Sequence, residues 1–329
     1  MKILVFEYIT GGGFNKQELP DALLREGRLM LQALLDNLSV IPGVEVQLML
    51  DSRCWRLINT MGIHTRLIQP RHDCLEEFKQ LAQHCDAVWP IAPESDGILH
   101  NLCRLVETLG ITLLNSSSTA VAITGNKLAT HQQLMQQGIA SVPTERFDAE
   151  KYYPVAEWML KPIDGVGCVD SYVLNDPQHA KQLSKTVAYV IQPHLTGKKT
   201  SLSCLCKSGT AWLLSVNLQQ FTLSNQQYQL SAITVNEQFE PKTYQLLAAK
   251  IAEAFPELWG YVGIDLIETA ERVWVLEINP RLTSSFIGLY EALGINAAEL
   301  VLQLINGEPN IVFTRQQAIT INLKQDANG

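Results

Sequence analysis

The sequence predicts an α/β protein in which a mostly parallel sheet comes first and a mixed α+β module follows. In the first 115 residues, apolar runs typical of strands alternate with helical runs, an order that favours a parallel sheet. Beyond residue 119 the apolar runs end in charged or amide side chains instead. A chain of 329 residues, 47% of them hydrophobic, is long enough for two or three domains.

The amino-terminal segment contains five predicted strands and one clear amphipathic helix. The strands are expected at residues 3–6, 44–50, 65–68, 87–91 and 111–114. The helix has leucines on one face, at positions 24, 31, 34, 35 and 38. Loops at residues 11–13 and 93–97 follow strands where such sheets bind ligands. The triple glycine is either a flexible turn or a substrate contact, and it lacks the spacing of a dinucleotide site.

The second module is expected to begin after a polar linker at residues 115–119. A helix opens at Lys127 and ends near Gly138, and later strands are expected at residues 158–162 and 189–193. The first of these strands is followed by a glycine-rich loop, residues 164–167, whose backbone N–H groups are free to bind phosphate. We hypothesise that this loop closes over the site as a lid.

Two polar residues in these strands, Lys161 and Gln192, each allow two interpretations. Lys161 interrupts an apolar strand, and a lone lysine at a strand end commonly just extends its ammonium group into water. A lysine directly before a glycine-rich turn is, however, also a common phosphate arrangement. Gln192 ends the next strand and is either an ordinary strand-end amide or a contact to an adenine edge.

A metal and phosphate site is predicted where an apolar strand ends at residues 275–281. Side chains alternate along a strand, so each face carries one kind of residue. The polar face is expected to hold Glu277, Asn279 and Arg281, and the apolar face Leu276 and Ile278. A short link to the preceding apolar run predicts a hairpin with Asp265 opposite Glu277. Such oxygen ligands suit Mg²⁺, and the arginine suits an anionic substrate; isolated acids here would instead be solvated turn residues.

Composition excludes several other classes of protein. A formal charge of −8 and a pI near 5.4 argue against a general nucleic-acid binder. The seven cysteines are odd in number and form no CxxC pair, so we expect free thiols and a cytoplasmic location. The opening residues 1–6 are typical of a strand rather than a signal peptide, and no apolar run approaches a membrane span.

Taken in order, these motifs resemble those of the ATP-grasp superfamily. The motif residues are Lys127, Lys161 with its glycine loop, Gln192 and Pro193 before Gly197, then Asp265, Glu277, Asn279 and Arg281. The resemblance covers residues 116–310 and implies two α+β lobes that hold ATP, preceded by a Rossmann-like parallel-sheet domain. The implied domains are residues 1–115, a small lobe at 116–192, and a large lobe with the metal site at 193–329.

The resemblance also implies a role for each motif residue. The ATP phosphates would be bound by Lys127, Lys161, Gly165 and Gly167. Adenine would contact Gln192 and the backbone of Pro193 and His194. The ligands of Mg²⁺, which Mn²⁺ is able to replace, would be Asp265, Glu277 and Asn279, with Glu277 bridging two ions. The catalytic residues would be Arg281 and Lys161. The acid that often binds ribose in this superfamily has no counterpart in residues 197–200.

Three further segments, residues 7–13, 92–97 and 114–117, are similar to the tyramine-glutamate ligases of methanofuran biosynthesis and their relatives. This implies a carboxylate-amine ligase that activates the γ-carboxyl group of glutamate as an acyl phosphate and couples it to tyramine or tyrosine. Its partners would be small molecules, with neither nucleic acid nor membrane involved, and superfamily members are often homodimers. The candidate substrate contacts are Glu7, Gly12, Glu94, Asp96, Ser284 and Ser285.

Other functions remain open at this stage. Another peptide or polyglutamate ligase would share every motif and differ only in the loops of the first domain. A biotin-dependent carboxylase is disfavoured, because residues 282–285 lack the Gln-Val-Glu-His that usually follows the arginine there. A nucleotide-binding regulator without catalysis would have lost metal ligands that are present here. Residues 218–240 are expected to form strand and loop near the site, without an assigned function.

Overall fold

The computed structural model describes residues 1–154, 156–167, 169–177, 180, 187–237 and 241–323. These residues form three sheets that follow one another along the chain. The first sheet is parallel and the other two are antiparallel in every pair, so the predicted order of a parallel-sheet domain and two α+β lobes is confirmed. The residue boundaries of the three domains stay a prediction.

The amino-terminal sheet consists of five parallel strands. They are β1 (Lys2–Glu7), β2 (Glu45–Asp51), β3 (His64–Ile68), β4 (Ala87–Ile91) and β5 (Thr112–Leu113). Their order is β3-β2-β1-β4-β5, and each predicted strand matches these bounds to within one residue. The helices are α1 (Asp21–Ser39), α2 (Cys74–Ala82) and α3 (Ile98–Thr108). The leucine face predicted for α1 is buried, since Leu31, Leu34 and Leu38 are fully covered.

Two short helices, α4 (Ser118–Thr124) and α5 (Lys127–Gln136), follow the first sheet. The predicted linker at residues 115–119 is therefore wrong in part. Ser117 caps α4, because its hydroxyl accepts a hydrogen bond from the Ala120 N–H at 3.1 Å, and Ser116 is buried. Serine favours both helix caps and turns, so a short serine run does not distinguish them.

The small lobe contains the second sheet. Its strands are β6 (Glu145–Arg146), β7 (Trp158–Pro162), β8 (Tyr172–Leu174) and β9 (Tyr189–Pro193), in the order β6-β9-β7-β8. Strands β7 and β9 coincide with the predicted strands at residues 158–162 and 189–193. Lys161 pairs with Val190 across them, so the lysine and the end of β9 lie on neighbouring strands.

The large lobe contains the third sheet and the helix α6 (Pro241–Ala254). Its strands are β10 (Lys198–Lys207), β11 (Thr210–Ser224), β12 (Gln227–Val235), β13 (Gly260–Glu268), β14 (Val273–Asn279) and β15 (Ile319–Asn322). The order is β14-β13-β10-β11-β12-β15. The predicted hairpin is confirmed, with Asp265 directly opposite Glu277.

Helix α1 of the first domain packs against the large lobe. One buried cluster joins Leu31 and Leu35 of α1 to Phe286 and Leu289, which lie in the turn Ser284–Gly288 and in α7 (Leu289–Leu293). The helix α8 (Ala297–Gln303) belongs to the same cluster. In the described part of the chain no single helix is long and apolar enough to cross a membrane. One pair of helical segments, Ser284–Leu293 and Ala297–Gln303, has the length and composition of a membrane span when taken together, but it is bent by 100°.

The cysteines of the described chain are free thiols. They are Cys54, Cys74, Cys85, Cys103, Cys204 and Cys206. The seventh, Cys168, lies outside the described residues, so the prediction of free thiols is confirmed for the other six. Burial raises the pKa of the Cys206 thiol to about 12, which makes it a poor nucleophile.

Candidate active site

The centre of the site is the β13–β14 hairpin, where two carboxylates and two amides meet. Asp265 Oδ1 accepts a hydrogen bond from Gln219 Nε2 at 2.9 Å, and its Oδ2 accepts one from Asn279 Nδ2 at 3.1 Å. Glu277 lies opposite Asp265 in the register of the hairpin. Three strands of one sheet, β11, β13 and β14, therefore contribute to one polar cluster.

One prediction about this hairpin is wrong, namely the position of Leu276. A β-bulge leaves Leu276 without a cross-strand partner, and it lines the same cleft as Glu277. Val275 and Ile278 enter the core instead. Because an extra residue in a bulge interrupts the alternation of side chains, a strict period of two assigns Leu276 to the wrong face.

The charges of the hairpin suit a divalent cation. Burial, and then the neighbouring Glu277, raise the pKa of Asp265 to about 7. Burial acts to raise the pKa of Glu277 too, but attraction to Lys127 and Lys161 outweighs it, so that pKa is lowered. A cation between the carboxylates would relieve their repulsion. The described residues contain no group of three or more His, Cys, Asp or Glu side chains that could hold a metal ion.

Two lysines approach this acidic pair. Lys127 is the first residue of α5, and its Nζ lies 3.6 Å from Glu277 Oε2 and donates a hydrogen bond to the Gly165 carbonyl at 2.5 Å. Lys161 of β7 lines the same cleft and acts electrostatically on Glu277. Together with Gly165 and Gly167, which also line the cleft, the lysines surround a position suited to phosphates.

The cleft encloses about 810 Å³ of empty space, part of which is open solvent. Its apolar walls are formed by Val142, Met159, Leu266, Ile267 and Leu276. Gln192 is buried in the wall and donates to Thr144 Oγ1 at 2.8 Å. The cleft is also lined by Lys199, whose Nζ lies 4.1 Å from the centre of the Tyr228 ring. Lys199 lies in residues 197–200, the segment that lacks the ribose-binding acid.

At the end of β9, the backbone N–H of His194, a predicted adenine contact, already has a partner within the protein. The His194 N–H donates to the Glu157 carbonyl at 3.0 Å, and the His194 ring lies between the Glu157 carboxylate and the Tyr228 hydroxyl, each at 2.9 Å. Pro193 has a carbonyl but no N–H. The next residue with a backbone N–H is Leu195, and this residue lines the cleft.

Arg281 forms a two-pronged ion pair with Glu94 of the first domain. Its Nε and Nη2 lie 2.9 and 3.0 Å from the two Glu94 oxygens, and Nη1 donates to the Leu282 carbonyl at 3.0 Å. The side chains are only 13% and 5% exposed. Burial acts to lower the pKa of Arg281, but the attraction of Glu94 outweighs this and raises it, so the guanidinium stays charged. The two predicted residues therefore contact each other directly.

Two further cavities adjoin Arg281. The inner cavity, of about 640 Å³, is lined by Asp265, Glu277, Asn279, Arg281, Ser284, Ser285 and Glu26. The outer cavity, of about 450 Å³ including its open mouth, lies between α1 and the loop after β4 and is lined by Ile9, Leu23, Glu26, Met30, Ile91, Pro93 and Arg281. Both volumes include space that is open to solvent.

The other predicted substrate contacts have different surroundings. Glu7 lines the outer cavity, but its buried carboxylate already accepts from the Ile9 N–H, the Thr10 N–H and the Thr10 hydroxyl. Gly12 lies outside the three cavities around the site. Its φ of +110° and its close packing against Ile68 require glycine at this position. Asp96 is exposed, and its N–H donates to Asp164 Oδ2 at 2.9 Å.

Sequence analysis missed two residues of the site, Glu26 and Gln219. Glu26 accepts a hydrogen bond from the Ser284 hydroxyl at 2.9 Å. Its neighbours are charged, which is typical of a solvated helix face, yet it lies three residues after Leu23 and four before Met30, within the apolar stripe of α1. Its place in this apolar stripe could have identified Glu26 as an acid that faces the interior of the protein. Gln219 sits in a glutamine-rich strand and is distinguished only by its contact with Asp265.

Comparison with protein families agrees with this geometry. Residues 124–285 match the model of the ATP-grasp domain, and residues 44–121 match that of the pre ATP-grasp 3 domain. The chain is an ATP-grasp protein. The predicted superfamily and fold are thereby confirmed.

Three relatives of this ATP-grasp protein span nearly its whole length. The tyramine–L-glutamate ligase of Methanocaldococcus jannaschii is 26% identical over 97% of this chain and 94% of its own. That of Methanocaldococcus fervens is 26% identical over 97% of this chain and 99% of its own. The crystal structure of an ATP-grasp superfamily protein from Archaeoglobus fulgidus superimposes with a TM-score of 0.74 at 20% identity, covering 98% of this chain and 92% of that one.

Proposed function

We propose that this protein is an ATP-dependent carboxylate-amine ligase that joins the γ-carboxyl group of glutamate to the amino group of tyramine or tyrosine. The observation that carries the proposal is the position of Asp265 and Glu277, which line both the nucleotide cleft and the inner cavity beside Arg281. A nucleotide phosphate and a small carboxylate would meet at this shared wall. The names of the two full-length relatives support the same reaction, and with it a place in the biosynthesis of a methanofuran-type cofactor.

ATP would occupy the cleft, with its adenine at the end of β9. The Pro193 carbonyl and the Leu195 N–H suit the amino group and a ring nitrogen of adenine, and Gln192 lies in the wall beside them. The phosphates would meet Lys127, Lys161 and the glycine-rich loop.

The metal would be Mg²⁺, with Mn²⁺ as a substitute, held by Asp265, Glu277 and Asn279. When bound, it would screen the negative charge between the phosphates and the substrate carboxylate. The Asn279 amide donates to Asp265 in the structure, and a rotation by 180° would present its oxygen to a cation instead.

The chain itself would mainly position and neutralise the reactants. A carboxylate oxygen attacks the γ-phosphorus, ADP leaves and an acyl phosphate forms; the amine nitrogen then attacks the acyl carbon and phosphate leaves. Arg281 and Lys161 would screen the repulsion between two anions in the first step. At about 4 Å and an effective dielectric near 20, each such contact is worth about 4 kcal/mol before desolvation.

Water must be kept away from the acyl phosphate, which it would hydrolyse. The glycine-rich loop lies where it would do this, since Gly167 lines the cleft and both cavities. The bond from the Asp96 N–H to Asp164 joins the same loop to the first domain. We therefore propose that the loop is the lid of the site.

The test is ADP release from MgATP and L-glutamate in the presence of tyramine, tyrosine or no amine, with the product mass read in parallel. We expect amine-dependent ADP release and a product that carries one added glutamyl group. Release with a different carboxylate or amine would assign the protein to another group of ATP-grasp peptide ligases. No release with any pair would contradict the proposal.

A further inference from the structure

The outer cavity is built for a different kind of ligand than the inner cavity. Its walls are largely apolar, formed by Ile9, Leu23, Met30, Ile91 and Pro93. It meets the inner cavity at Glu26, Gly167 and Arg281, which line both. A group bound in the outer cavity would thus reach the reacting carboxyl group only by passing Glu26.

Of the two acids that line the outer cavity, Glu26 is the one with an oxygen atom available to a ligand. Both oxygens of Glu7, the other acid, are occupied by hydrogen bonds from Ile9 and Thr10. Glu26 accepts one hydrogen bond, from the Ser284 hydroxyl to Oε2, and no described residue donates to its Oε1. An ammonium group has three donors and would supply the missing one.

The same wall disfavours an amine substrate that also carries a carboxylate. Among the described residues that line the outer cavity, Arg281 is the one cation, and its guanidinium is held on both prongs by Glu94. An α-carboxylate next to the ammonium group would face Glu26 and would have to compete with Glu94 for the one cation of this wall. Burying an unpaired charge in this way costs free energy.

We propose that the outer cavity binds the amine substrate, that this substrate is an apolar or aromatic primary amine without an α-carboxylate, and that Glu26 binds its ammonium group and accepts its proton. This inference rests on the proposed ligase function and selects tyramine over tyrosine. The glutamate carboxyl group then lies in the inner cavity, beside Arg281 and Ser284.

The proton balance of the second step follows from this arrangement. Glu26 takes one proton from the ammonium group, which frees the nitrogen lone pair to attack the acyl carbon. As the C–N bond forms, the C–O bond to phosphate breaks, and the second proton leaves with the phosphate. Glu26 then returns its proton to solvent through the mouth of the cavity. Burial raises the pKa of the Glu26 carboxyl group, which makes it a better proton acceptor than an exposed glutamate.

Glu26→Gln is the variant that tests the inference. Its amide oxygen keeps an acceptor for the Ser284 hydroxyl, so the variant removes the charge while preserving that contact. The matched control is Asp36→Asn, which removes one charge from the exposed end of the same helix and keeps an acceptor for Gln32.

Two nucleophiles are compared for each protein with MgATP and L-glutamate: tyramine, and hydroxylamine, which is small and uncharged at neutral pH and traps the acyl phosphate as a hydroxamate. We expect Glu26→Gln to lower kcat/KM for tyramine about 10- to 100-fold, to change hydroxamate formation less than threefold, and to reduce the preference for tyramine over tyrosine. We expect the Asp36→Asn protein to behave as wild type.

The outcomes separate the two proposals. Wild-type protein that makes neither amide nor hydroxamate contradicts the ligase function itself. A ligase whose Glu26→Gln variant keeps wild-type kcat/KM for tyramine, or loses hydroxamate and amide formation equally, overturns the role of Glu26. A wild-type preference for tyrosine overturns the assigned amine class.

Discussion

The two halves of the site are built in different ways. The half that faces the nucleotide is centred on one hairpin, in which Asp265 and Glu277 lie opposite each other, and Lys161 lines the same cleft. The half that faces the acceptor joins segments far apart in sequence, since Arg281 meets Glu94 across 187 residues and Ser284 meets Glu26 across 258. The centre of the first half is thus a local hairpin, whereas the contact between Ser284 and Glu26 exists only because α1 packs on the large lobe.

This difference suggests where substrate choice is encoded. ATP and the metal would be bound by lobe elements that other ATP-grasp proteins share, while the outer cavity lies mainly within the first domain. Variants in the first half should therefore affect every reaction of the protein. Variants in the second should discriminate between acceptors.

The largest effect is expected from Glu277→Gln. Loss of a ligand shared with the phosphate site should lower ADP-forming turnover about 10³-fold with every acceptor, including hydroxylamine. Steady-state assays over a range of Mg²⁺ would measure this. Glu271→Gln, an exposed acid in the turn of the same hairpin, is the control and should be silent. Turnover within tenfold of wild type would remove Glu277 from the metal site.

Arg281→Ala should be nearly as severe, although Arg281 lies on the border of the two halves. We expect kcat to fall about 10² to 10³-fold, because a positive charge aimed at the transferred group is lost. Glu94 would remain buried without its partner, so we also expect a destabilisation of about 3–5 kcal/mol, measured by urea unfolding.

A double variant separates these two effects. Arg281→Ala combined with Glu94→Gln removes the stranded charge, so it should recover much of the stability and none of the activity. A kcat close to wild type in either protein would show that Arg281 takes no part in the reaction.

The sequence predicted the first half well because its signals are local. Lys161, Asp265 and Glu277 each interrupt an apolar strand, and the hairpin places Asp265 opposite Glu277. The alternation failed at Leu276 because a bulge depends on the register with the neighbouring strand, which one strand's pattern does not contain.

The second half was predicted only in part, for a physical reason. Glu94 and Arg281 were both identified, but as separate contacts, since nothing in a local pattern shows that one neutralises the other. Glu26 was missed because its partners come from the large lobe. Domain packing brings these charges together, and it is set by the buried cluster around α1 rather than by any motif.

A smaller effect is expected from Gln219→Leu, which tests how far the first half extends into β11. Gln219 holds Asp265 from the side of the sheet, so its loss should weaken the apparent affinity for Mg²⁺ about tenfold with little change in saturated kcat. Gln220→Leu is a matched control, because the adjacent side chain is exposed and points to the opposite face. Equal behaviour of the two variants would contradict a role for Gln219.

The smallest effect is expected where the halves meet, at the bond between the Asp96 N–H and Asp164. Asp164→Ala should leave ADP release almost unchanged and raise the ratio of ADP to amide about fivefold, because a looser loop admits water to the acyl phosphate. Asp164→Asn keeps an acceptor oxygen and should restore coupling. If both variants stay fully coupled, the loop does not exclude water through this bond. If both variants release more ADP per amide formed, the charge of Asp164, and not its hydrogen bond, keeps the loop in contact with the first domain.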